Sequence, residues 1–387
     1  MTVEQDFELR VAELGDAGLL RRPRLVRGAG PRITVDGHPA VCFCSNDYLG
    51  LASHPRLVQL TSHAQSDEGT VGAGASRLIT GTRAAHLAAE RRLATLVGRP
   101  AALLFSSGYA ANIGALSALI QRGDVVYSDA LNHASLIDGI RLSRGEAHVY
   151  PHNDLGALRT ALEAHASGRA WIVTDAVFSM DGDRADLRAL RSLADEFDAA
   201  LYVDEAHSLG VISAAGACSS SQIAPDVLIG TLGKAFGVSG AFVAGSHALR
   251  TLLENRARSY VFSTAPPPAL AEAILIATDL VAEADERRAT VLRHADRLRT
   301  GLRAAGWTVP ESDTQIVPVL VGAAEETMRL SSHLLDAGYF VRGIRPPTVQ
   351  PGTSRLRVVP TALHTDSEVD GLVHTLRDAR LHRASWT

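Results

Sequence analysis

Short apolar runs alternate with amphipathic stretches through the middle of the chain, from about residue 54 onward. Seven of these runs are predicted strands: AALLF (101–105), DVVYS (124–128), HVY (148–150), WIVTD (171–175), ALYVD (200–204), DVLIG (226–230) and GAFVAG (240–245). Between most of them the 3.6-residue pattern predicts helices, at 84–97, 108–121, 155–166, 186–197 and 246–259. Near-continuous apolar strands separated by helices are typical of an α/β fold with a mainly parallel sheet covered on both faces.

The two ends of the chain follow a different pattern. The first 20 or so residues predict a short helix, and RLVRGAG, PRITVDG and AVCFC predict short strands divided by Gly and Pro turns. After a long helical stretch at 267–304 come the strands QIVPVLVG, YFVRGI and RLRVV, with helices at 324–336 and 366–380. We therefore predict three regions: 1–50, packing with the small domain; 51–285, the large domain; and 286–387, a small α+β domain.

The composition gives no support for a nucleic-acid-binding, membrane-bound or disulfide-rich protein. The 387 residues are 46% hydrophobic and 21% charged, with a net charge of −4, which gives no electrostatic reason to expect a nucleic acid or an anionic membrane as partner. The three cysteines form no metal-binding or disulfide pattern, which suits a reducing cytoplasm. The N-terminal MTVEQDFELR is unlike a signal peptide, and charges and prolines interrupt the apolar stretch at 265–281. We expect a cytoplasmic protein without a metal.

Lys234 is the single lysine, so 38 − 1 = 37 of the basic residues are arginines. A chain so strongly biased toward arginine needs no lysine where positive charge alone is wanted. A lysine amine, unlike a guanidinium, can lose its proton and bond to a carbonyl carbon. The surviving lysine therefore points to covalent imine chemistry, although an isolated surface lysine would more simply be a chance relic.

Polar residues follow four predicted strands at their carboxyl ends, where parallel α/β sheets bind ligands. They are Ser106–Tyr109 after AALLF, Ser179 after WIVTD, Asp204 at the end of ALYVD with His207 three residues on, and Thr231 and Lys234 after DVLIG. The turn at Ser106–Tyr109 precedes a helix whose first N–H groups could hold a phosphate. A phosphate site, a carboxylate, a histidine and an imine-forming lysine together predict a pyridoxal 5'-phosphate site.

Some of these signals have simpler interpretations. Gly108-Tyr109 alone is a common strand-to-helix turn, and His133 alone could equally be a helix-start histidine or an active-site residue. Asp204–His207 spells the DEAH of nucleotide-driven helicases, but no GxxxxGK[ST] loop lies upstream. The glycines at 72–77 lack the third glycine of a dinucleotide fingerprint and follow no strand.

Taken in order, these segments resemble the α-oxoamine synthases, fold-type I pyridoxal phosphate transferases. The matching stretches are SNDYLG (45–50), GAGASRLITGT (72–82), FSSGYAAN (105–112), DALNHASLIDGIR (129–141), VFSMDGD (177–183), VDEAHSLGV (203–211), TLGKAFGVSGAFV (231–243), FST (262–264) and RPPTVQPGTSRLR (345–357). The resemblance runs from about residue 20 to the C-terminus. It implies decarboxylative condensation of an amino acid with an acyl thioester in a homodimer with shared active sites.

Within the family, RPPTV…GTSRLR most resembles the branch that joins L-alanine to a pimeloyl thioester, on coenzyme A or a carrier protein, to make 8-amino-7-oxononanoate for biotin. NHASLIDGIR is equally like branches that use glycine, such as 2-amino-3-ketobutyrate ligase. A synthase of secondary metabolism fed by a carrier protein also stays open. A non-catalytic pyridoxal phosphate regulator would lack a catalytic group or carry a DNA-binding module, and neither feature is visible.

The resemblance also assigns roles to individual residues. For the cofactor ring, it implies that Lys234 bonds to the aldehyde, that Asp204 pairs with the pyridine nitrogen and that His207 contacts the ring 3-oxygen. It also implies that His133 stacks on the ring and that Ser179 lies beside it. For the phosphate, it implies that Gly108, Tyr109 and Thr231 hold it within the subunit and that Thr264 reaches the phosphate of the neighbouring subunit's cofactor. For the substrates, it implies that Arg357 binds the amino-acid carboxylate, that Arg21 and Thr348 contact the acyl substrate, and that Asn46 lies close by.

Overall fold

The computed structural model describes residues 1–62 and 70–381. The helices are α1 (Val3–Asp16), α2 (Pro55–Ser62), α3 (Ala84–Leu96), α4 (Gly108–Leu119), α5 (Ala134–Leu142), α6 (Leu155–Glu163), α7 (Leu187–Glu196), α8 (Gly216–Ser220), α9 (His247–Arg256), α10 (Arg258–Val261), α11 (Pro268–Ala282), α12 (Asp285–Ala304), α13 (Ala324–Asp336) and α14 (Asp366–Leu381). The strands are β1 (Val26–Gly28), β2 (Arg32–Val35), β3 (His38–Cys42), β4 (Ala101–Phe105), β5 (Val125–Asp129), β6 (Glu146–Tyr150), β7 (Ala170–Asp175), β8 (Ala200–Asp204), β9 (Val227–Thr231), β10 (Ala241–Gly245), β11 (Val317–Gly322), β12 (Tyr339–Phe340), β13 (Arg342–Ile344) and β14 (Ser354–Val358).

The chain forms two compact units. One comprises residues 46–293 and 312–315, and the other comprises 1–45, 294–311 and 316–387. The domain limits at residues 50 and 285 stay predictions from the sequence. No helix among the described residues is long and apolar enough to cross a membrane.

The larger unit is built on a seven-stranded sheet in the order β4-β10-β9-β8-β7-β5-β6. Strands β9, β8, β7, β5 and β6 run parallel, and β10 is antiparallel to both β4 and β9. The prediction of a mainly parallel α/β sheet is therefore confirmed, and the reversed β10 is a feature that the sequence pattern did not predict. Five of the strands, β4, β7, β8, β9 and β10, are buried throughout, which explains their continuous apolar sequences.

The core of the larger unit lies between this sheet and the helices on its faces. Leu116 of α4 and Leu136 of α5 pack with Val173 and Tyr202 from the strands, and all four are fully buried. Burying one such aliphatic side chain contributes about 1.5–3 kcal/mol. This packing holds the carboxyl ends of the strands in place, and those ends carry the polar residues described below.

The smaller unit contains two short sheets. One has the order β1-β2-β3-β12 and joins N-terminal strands to β12 through parallel pairing with β3, and the other has the order β11-β14-β13. Phe43, just after β3, is completely buried among residues of α12, α13 and α14. The predicted first helix exists as α1, but it buries none of its residues within the unit.

Candidate active site

A pocket of about 280 Å³ lies at the carboxyl ends of the central strands of the larger unit. Its lining residues are Asn46, Ser106, Ser107, Gly108, Tyr109, Asn112, His133, Ser135, Asp175, Asp204, Ala206, His207, Thr231, Gly233, Lys234, Ser239 and Gly240. Because parallel strands end at a common edge, residues far apart in sequence meet here. Eight of the thirteen predicted site residues line this pocket.

Lys234 lies in the tight loop between β9 and β10. The loop is closed by hydrogen bonds from Gly237 N to Lys234 O at 2.9 Å and from Leu232 N to Gly240 O at 2.9 Å. Lys234 is half-buried, and its Nζ lies 3.5 Å from Oγ1 of Thr231 at the end of β9. The amine is therefore held on a short loop inside the pocket, not on a mobile surface segment.

Asp204 ends β8, and both of its carboxylate oxygens are held. Oδ1 accepts a hydrogen bond from Ala206 N at 2.9 Å, and Oδ2 accepts one from Asn112 Nδ2 at 2.7 Å. The side-chain oxygen Oδ1 of Asn112 in turn accepts a hydrogen bond from the Tyr202 hydroxyl at 2.8 Å. Ala206 and Asn112, the latter fixed by Tyr202, therefore hold the buried carboxylate in place at the pocket.

His133 caps the N-terminus of α5. Its Nδ1 lies 3.2 Å from Ser135 N and 2.7 Å from Ser135 Oγ, so this nitrogen accepts hydrogen bonds and the ring proton belongs on Nε2. Burial lowers the pKa of His133 below its ordinary value; Asp204 opposes that shift and Lys234 reinforces it. The pocket therefore favours a neutral imidazole at this position.

Asp175 is a further carboxyl group in the pocket. It ends β7 directly beside Asp204 in the parallel register, and its Oδ2 accepts the backbone N–H of His133 at 2.7 Å. Burial raises the pKa of Asp175 well above its usual range, and the neighbouring Asp204 raises it further, against the opposing effects of the His133 hydrogen bond and Lys234. Burial and the neighbouring Asp204 thus favour the neutral form of Asp175, which fixes the loop that presents His133.

The start of α4 forms another wall of the pocket. Ser107 caps this helix by accepting a hydrogen bond from Ala110 N at 3.1 Å. A Cβ placed on Gly108 would lie 2.6 Å from Thr231 Cγ2, so only glycine leaves this space open. Tyr109 beside it is partly exposed and its hydroxyl donates to Asp138. The first N–H groups of α4 therefore border a cavity that side chains leave vacant, as an anion site requires.

The other predicted site residues lie outside this pocket lining. Ser179 is half-buried in the turn after β7, and Thr264 is exposed in a bridge with Ser76. In the smaller unit, Arg21 Nη2 lies 3.0 Å from Thr348 Oγ1, which brings the two residues predicted to contact the acyl substrate together. Arg357 is buried in β14.

Three polar residues that line the pocket and hold its side chains were not identified from the sequence: Asn112, Ser135 and Asp175. Tyr48 was not identified either; it lies outside the pocket lining and contacts His207. Asp175 ends a predicted strand, so the rule that identified Asp204 could also have identified it. Asn112 and Ser135 lie inside helices, where the sequence pattern does not separate a pocket residue from a core residue.

The donor set fits pyridoxal phosphate. A lysine amine can hold an aldehyde, and a carboxylate fixed at a strand end can hold a protonated ring nitrogen. The cavity that Gly108 keeps open at the N-terminus of α4 can hold the phosphate. No group of His, Cys, Asp and Glu among the described residues could bind a metal ion.

The chain is similar to known proteins over most of its length. Residues 39–376 match the family model for aminotransferase class I and II. The chain is 48% identical to an 8-amino-7-oxononanoate synthase of Geobacter metallireducens, over 95% of this chain and 96% of the relative. It is 49% identical to the enzyme of the same name from Geobacter sulfurreducens, over 93% and 94%.

Solved structures extend the similarity. The serine palmitoyltransferase of Sphingomonas wittichii is 27% identical, with a TM-score of 0.92 over 99% of both chains. An SPT structure with a PLP internal aldimine has a TM-score of 0.91 at 27% identity, again over 99% of both chains. The 8-amino-7-oxononanoate synthase of Francisella tularensis is 26% identical, with a TM-score of 0.77 over 89% of this chain and 99% of that one. The chain therefore belongs to the aminotransferase class I and II family and, within it, to the 8-amino-7-oxononanoate synthases.

Proposed function

We propose that this protein joins L-alanine to the pimeloyl group of a thioester, releasing the carrier thiol and carbon dioxide and giving 8-amino-7-oxononanoate for biotin biosynthesis. A bond forms between the α-carbon of alanine and the thioester carbonyl carbon, while the C–S bond and the bond to the alanine carboxylate break. The observation that carries the proposal is Lys234 in one pocket with Asp204, His133 and His207. The close relatives named for this reaction support it.

Pyridoxal phosphate is the cofactor, and when bound it supplies an electron sink for negative charge at the amino-acid α-carbon. Lys234 would hold its aldehyde, and the lysine amine would take the proton from the α-carbon of alanine and later return one. General-base positioning of this kind contributes about 10²–10⁴ in rate. The short loop around Lys234 keeps the amine within reach throughout.

Asp204 holds the proton on the ring nitrogen, because its carboxylate is buried and already fixed by Asn112 and Ala206. His133 provides a flat, neutral surface for stacking, since burial disfavours its charged form. His207 would contact the ring 3-oxygen, and Ser179 would lie beside the ring.

The phosphate is held by Gly108, Tyr109 and Thr231. Backbone N–H groups at the start of α4 and the Thr231 hydroxyl donate hydrogen bonds, and the positive end of the helix dipole favours the anion. Arg357 binds the substrate carboxylate, while Arg21, Thr348 and Asn46 contact the acyl group or its carrier. An arginine suits the first role because its planar guanidinium pairs with both oxygens of a carboxylate.

A homodimer with shared active sites is the proposed functional unit. Thr264 is exposed, which leaves its hydroxyl accessible to the phosphate of the cofactor in the neighbouring subunit. We also propose that the protein works in the cytoplasm. The thiols of Cys42 and Cys44 lie 3.8 Å apart without a disulfide, which suits a reducing compartment.

Glycine is the second candidate amino acid. Enzymes named for two reactions, serine palmitoyl transfer and 8-amino-7-oxononanoate synthesis, share this fold, so the fold does not choose the substrate. Sequence identities near 48% over almost the whole chain favour alanine. The acyl carrier, coenzyme A or a carrier protein, and a role in secondary metabolism remain to be distinguished by assay.

The test is product mass spectrometry with alanine, glycine or serine, each combined with pimeloyl and shorter acyl thioesters on coenzyme A and on a carrier protein. We expect alanine with a pimeloyl thioester to give 8-amino-7-oxononanoate at least tenfold faster than any other pair, a difference of about 1.4 kcal/mol in transition-state binding. Faster turnover of glycine would instead support the glycine-using alternative. Absence of any condensation product from an enzyme that binds the cofactor would refute the proposal.

A further inference from the structure

Cys42 and Cys44 form a pair of neighbouring thiols in the smaller unit. Their Sγ atoms lie 3.8 Å apart, close to van der Waals contact. Their spacing in the sequence does not predict this contact, because residues two apart on a strand share a face whether or not their side chains meet. At this distance one sulfur can react with the other.

Hydrogen bonds on both sides fix the backbone between the two cysteines. Cys42 N donates to Pro31 O at 2.7 Å, and Phe43 N donates to Phe340 O at 2.9 Å. The carbonyl oxygen of Phe43 accepts a hydrogen bond from Val359 N at 2.7 Å. The two sulfurs are therefore held as neighbours, and they need to approach by only about 1.8 Å to reach the length of an S–S bond.

Polar groups around the pair favour a thiolate on Cys42. The Cys44 thiol donates to its sulfur, as do the backbone N–H groups of Cys44 and Ser45, and against the opposing effect of burial they lower the pKa of Cys42 to about 7. The hydrogen bond to Cys42, burial and the charge of Cys42 raise the pKa of Cys44, against the opposing charges of Arg342 and Arg357. Cys42 is therefore the nucleophile of the pair, and Cys44 keeps its proton.

The other charged and titratable groups near the pair are two arginines and a histidine. Arg342 of β13 and Arg357 of β14 are partners in the antiparallel register, and both favour negative charge on the thiols. His364 contacts the backbone of Cys42, and burial lowers its pKa to about 4, so its ring is neutral at pH 7. Cys44 is only half-buried, which leaves the pair open to small solutes. A partly exposed thiolate beside arginines is the setting in which reactive cysteines occur.

We propose that Cys42 and Cys44 are a redox-active dithiol, which a hydroperoxide such as hydrogen peroxide converts to a reversible disulfide within the chain. The Cys42 thiolate attacks a peroxide oxygen, the O–O bond breaks, hydroxide leaves and Cys42 becomes a sulfenic acid. The Cys44 sulfur then attacks the Cys42 sulfur, so that the S–S bond forms and the S–O bond breaks. The Cys44 proton leaves with the hydroxyl group as water. Two thiols together lose two electrons, and one hydroperoxide gains them.

The alternative is that both thiols only fill space in the core, as buried cysteines often do. Cys218 in the larger unit has that character. It is fully buried, and burial, reinforced by Glu205, raises the pKa of its thiol. Because Cys218 meets the same oxidant in the same chain, it is an internal control for the pair.

The experiment treats the wild-type protein with a few equivalents of hydrogen peroxide, blocks free thiols with N-ethylmaleimide in denaturant, and weighs the tryptic peptides. Peptide 33–56 carries Cys42 and Cys44, and peptide 192–234 carries Cys218. We expect an unblocked peptide 33–56 that is lighter by about 2 Da, the mass of two hydrogens, to form at least about tenfold faster than Cys218 is oxidised. The rate should be half-maximal near pH 7, and dithiothreitol should restore both thiols.

Single variants separate the two steps. Cys44→Ser cannot form the bridge, so Cys42 should stop at the sulfenic acid and be trapped by dimedone. Cys218→Ser is the matched control and should form the bridge at the wild-type rate. Equal oxidation of all three cysteines, a bridge between two chains on a non-reducing gel, or an unchanged peptide 33–56 would overturn the inference.

Discussion

Lys234 shows how much a single side chain can decide. Arginine serves every other basic position, and the one amine in a side chain lies in the pocket with a fixed carboxylate and two histidines. The difference between the two residue types is chemical and not electrostatic, since both are cations in water. Replacement by arginine therefore separates charge from covalent chemistry.

We predict that Lys234→Arg retains the fold and binds pyridoxal phosphate without the covalent bond. Borohydride reduction followed by peptide mass spectrometry should label residue 234 in the wild type and leave the variant unlabelled. Condensation activity should fall by more than about 10⁴-fold, because the general base and the covalent anchor are lost together. Ordinary turnover by the variant would disprove the assignment.

The sequence predicted some residues of the site and missed others, depending on how each residue acts. Strand-end residues such as Asp204 stand out because a polar side chain follows an apolar run. Tyr48 and Asn112 do not stand out, because their importance comes from partners far away in the chain, His207 and Asp204. The sequence thus predicts the residues proposed to touch the cofactor better than those that hold them.

At the scale of elements, helices and strands follow the apolar pattern closely, but strand direction does not. β10 has the same fully buried apolar sequence as its parallel neighbours, yet it runs antiparallel. Burial on both faces removes the alternation that would distinguish the two cases. The first helix was also predicted from its apolar residues, but α1 buries none of them. A sequence pattern shows that a helix has an apolar face, but it does not show what that face packs against.

The start of α4 gives a prediction about an element. Gly108→Ala should weaken pyridoxal phosphate binding by at least about tenfold, because the added Cβ meets Thr231 Cγ2 at 2.6 Å and closes the space at the helix start. Fluorescence titration of the apoenzyme measures the effect. Gly15→Ala in α1, whose added Cβ meets nothing within 4 Å, is the control for a glycine-to-alanine change in a helix. Equal affinities for both variants would exclude a phosphate site at Gly108.

His152 connects three segments of the larger unit through two carboxylates, and this cluster makes the stability of the unit depend on pH. His152 Nδ1 lies 2.9 Å from Asp129 Oδ1, and its Nε2 lies 2.7 Å from Asp183 Oδ2. Burial lowers the pKa of His152, but the two carboxylates outweigh it and raise the pKa to about 10. A raised pKa in the folded state means that the stabilisation is complete below pH 6.5, the ordinary histidine value, and is lost as the pH rises toward 10.

We predict that the free energy of unfolding of the wild type falls between pH 6.5 and 10 by up to about 1.4 kcal/mol per pH unit, through this one group. His152→Gln should show a flatter profile over the same range, and His38→Gln, at an exposed position, should follow the wild type. Urea unfolding at pH 6, 8 and 10 measures the three profiles. Parallel curves for wild type and His152→Gln would show that this cluster does not carry the pH dependence.

At the scale of the whole molecule, the proposed dimer makes each active site depend on two chains. If Thr264 serves the neighbouring site, a subunit lacking Lys234 can still complete its partner's site. In a two-fold symmetric dimer, each site would then contain Lys234 from one subunit and Thr264 from the other. Mixing two defective subunits therefore tests the arrangement directly.

We expect co-expressed Lys234→Arg and Thr264→Val subunits to recover about a quarter of wild-type activity, because half of randomly formed dimers contain one intact site. We expect Thr264→Val alone to be about tenfold less active, because it loses a hydrogen bond to the phosphate. The activity of the mixture should then exceed the mean activity of the two separate variants. Lys234→Arg mixed with Lys234→Ala is the control and should recover nothing. Activity equal to the parental mean would place Thr264 in its own subunit's site or outside any site.

The position of β4 at the edge of the large sheet affects when the site can form during synthesis. β4 precedes the turn at Ser107 and Gly108, and its neighbour in the sheet is β10, which lies far along the chain at Ala241–Gly245. A growing polypeptide emerging from the ribosome therefore exposes an unpaired, wholly apolar strand until β10 has also emerged. Nascent chains should therefore bind pyridoxal phosphate only after that point.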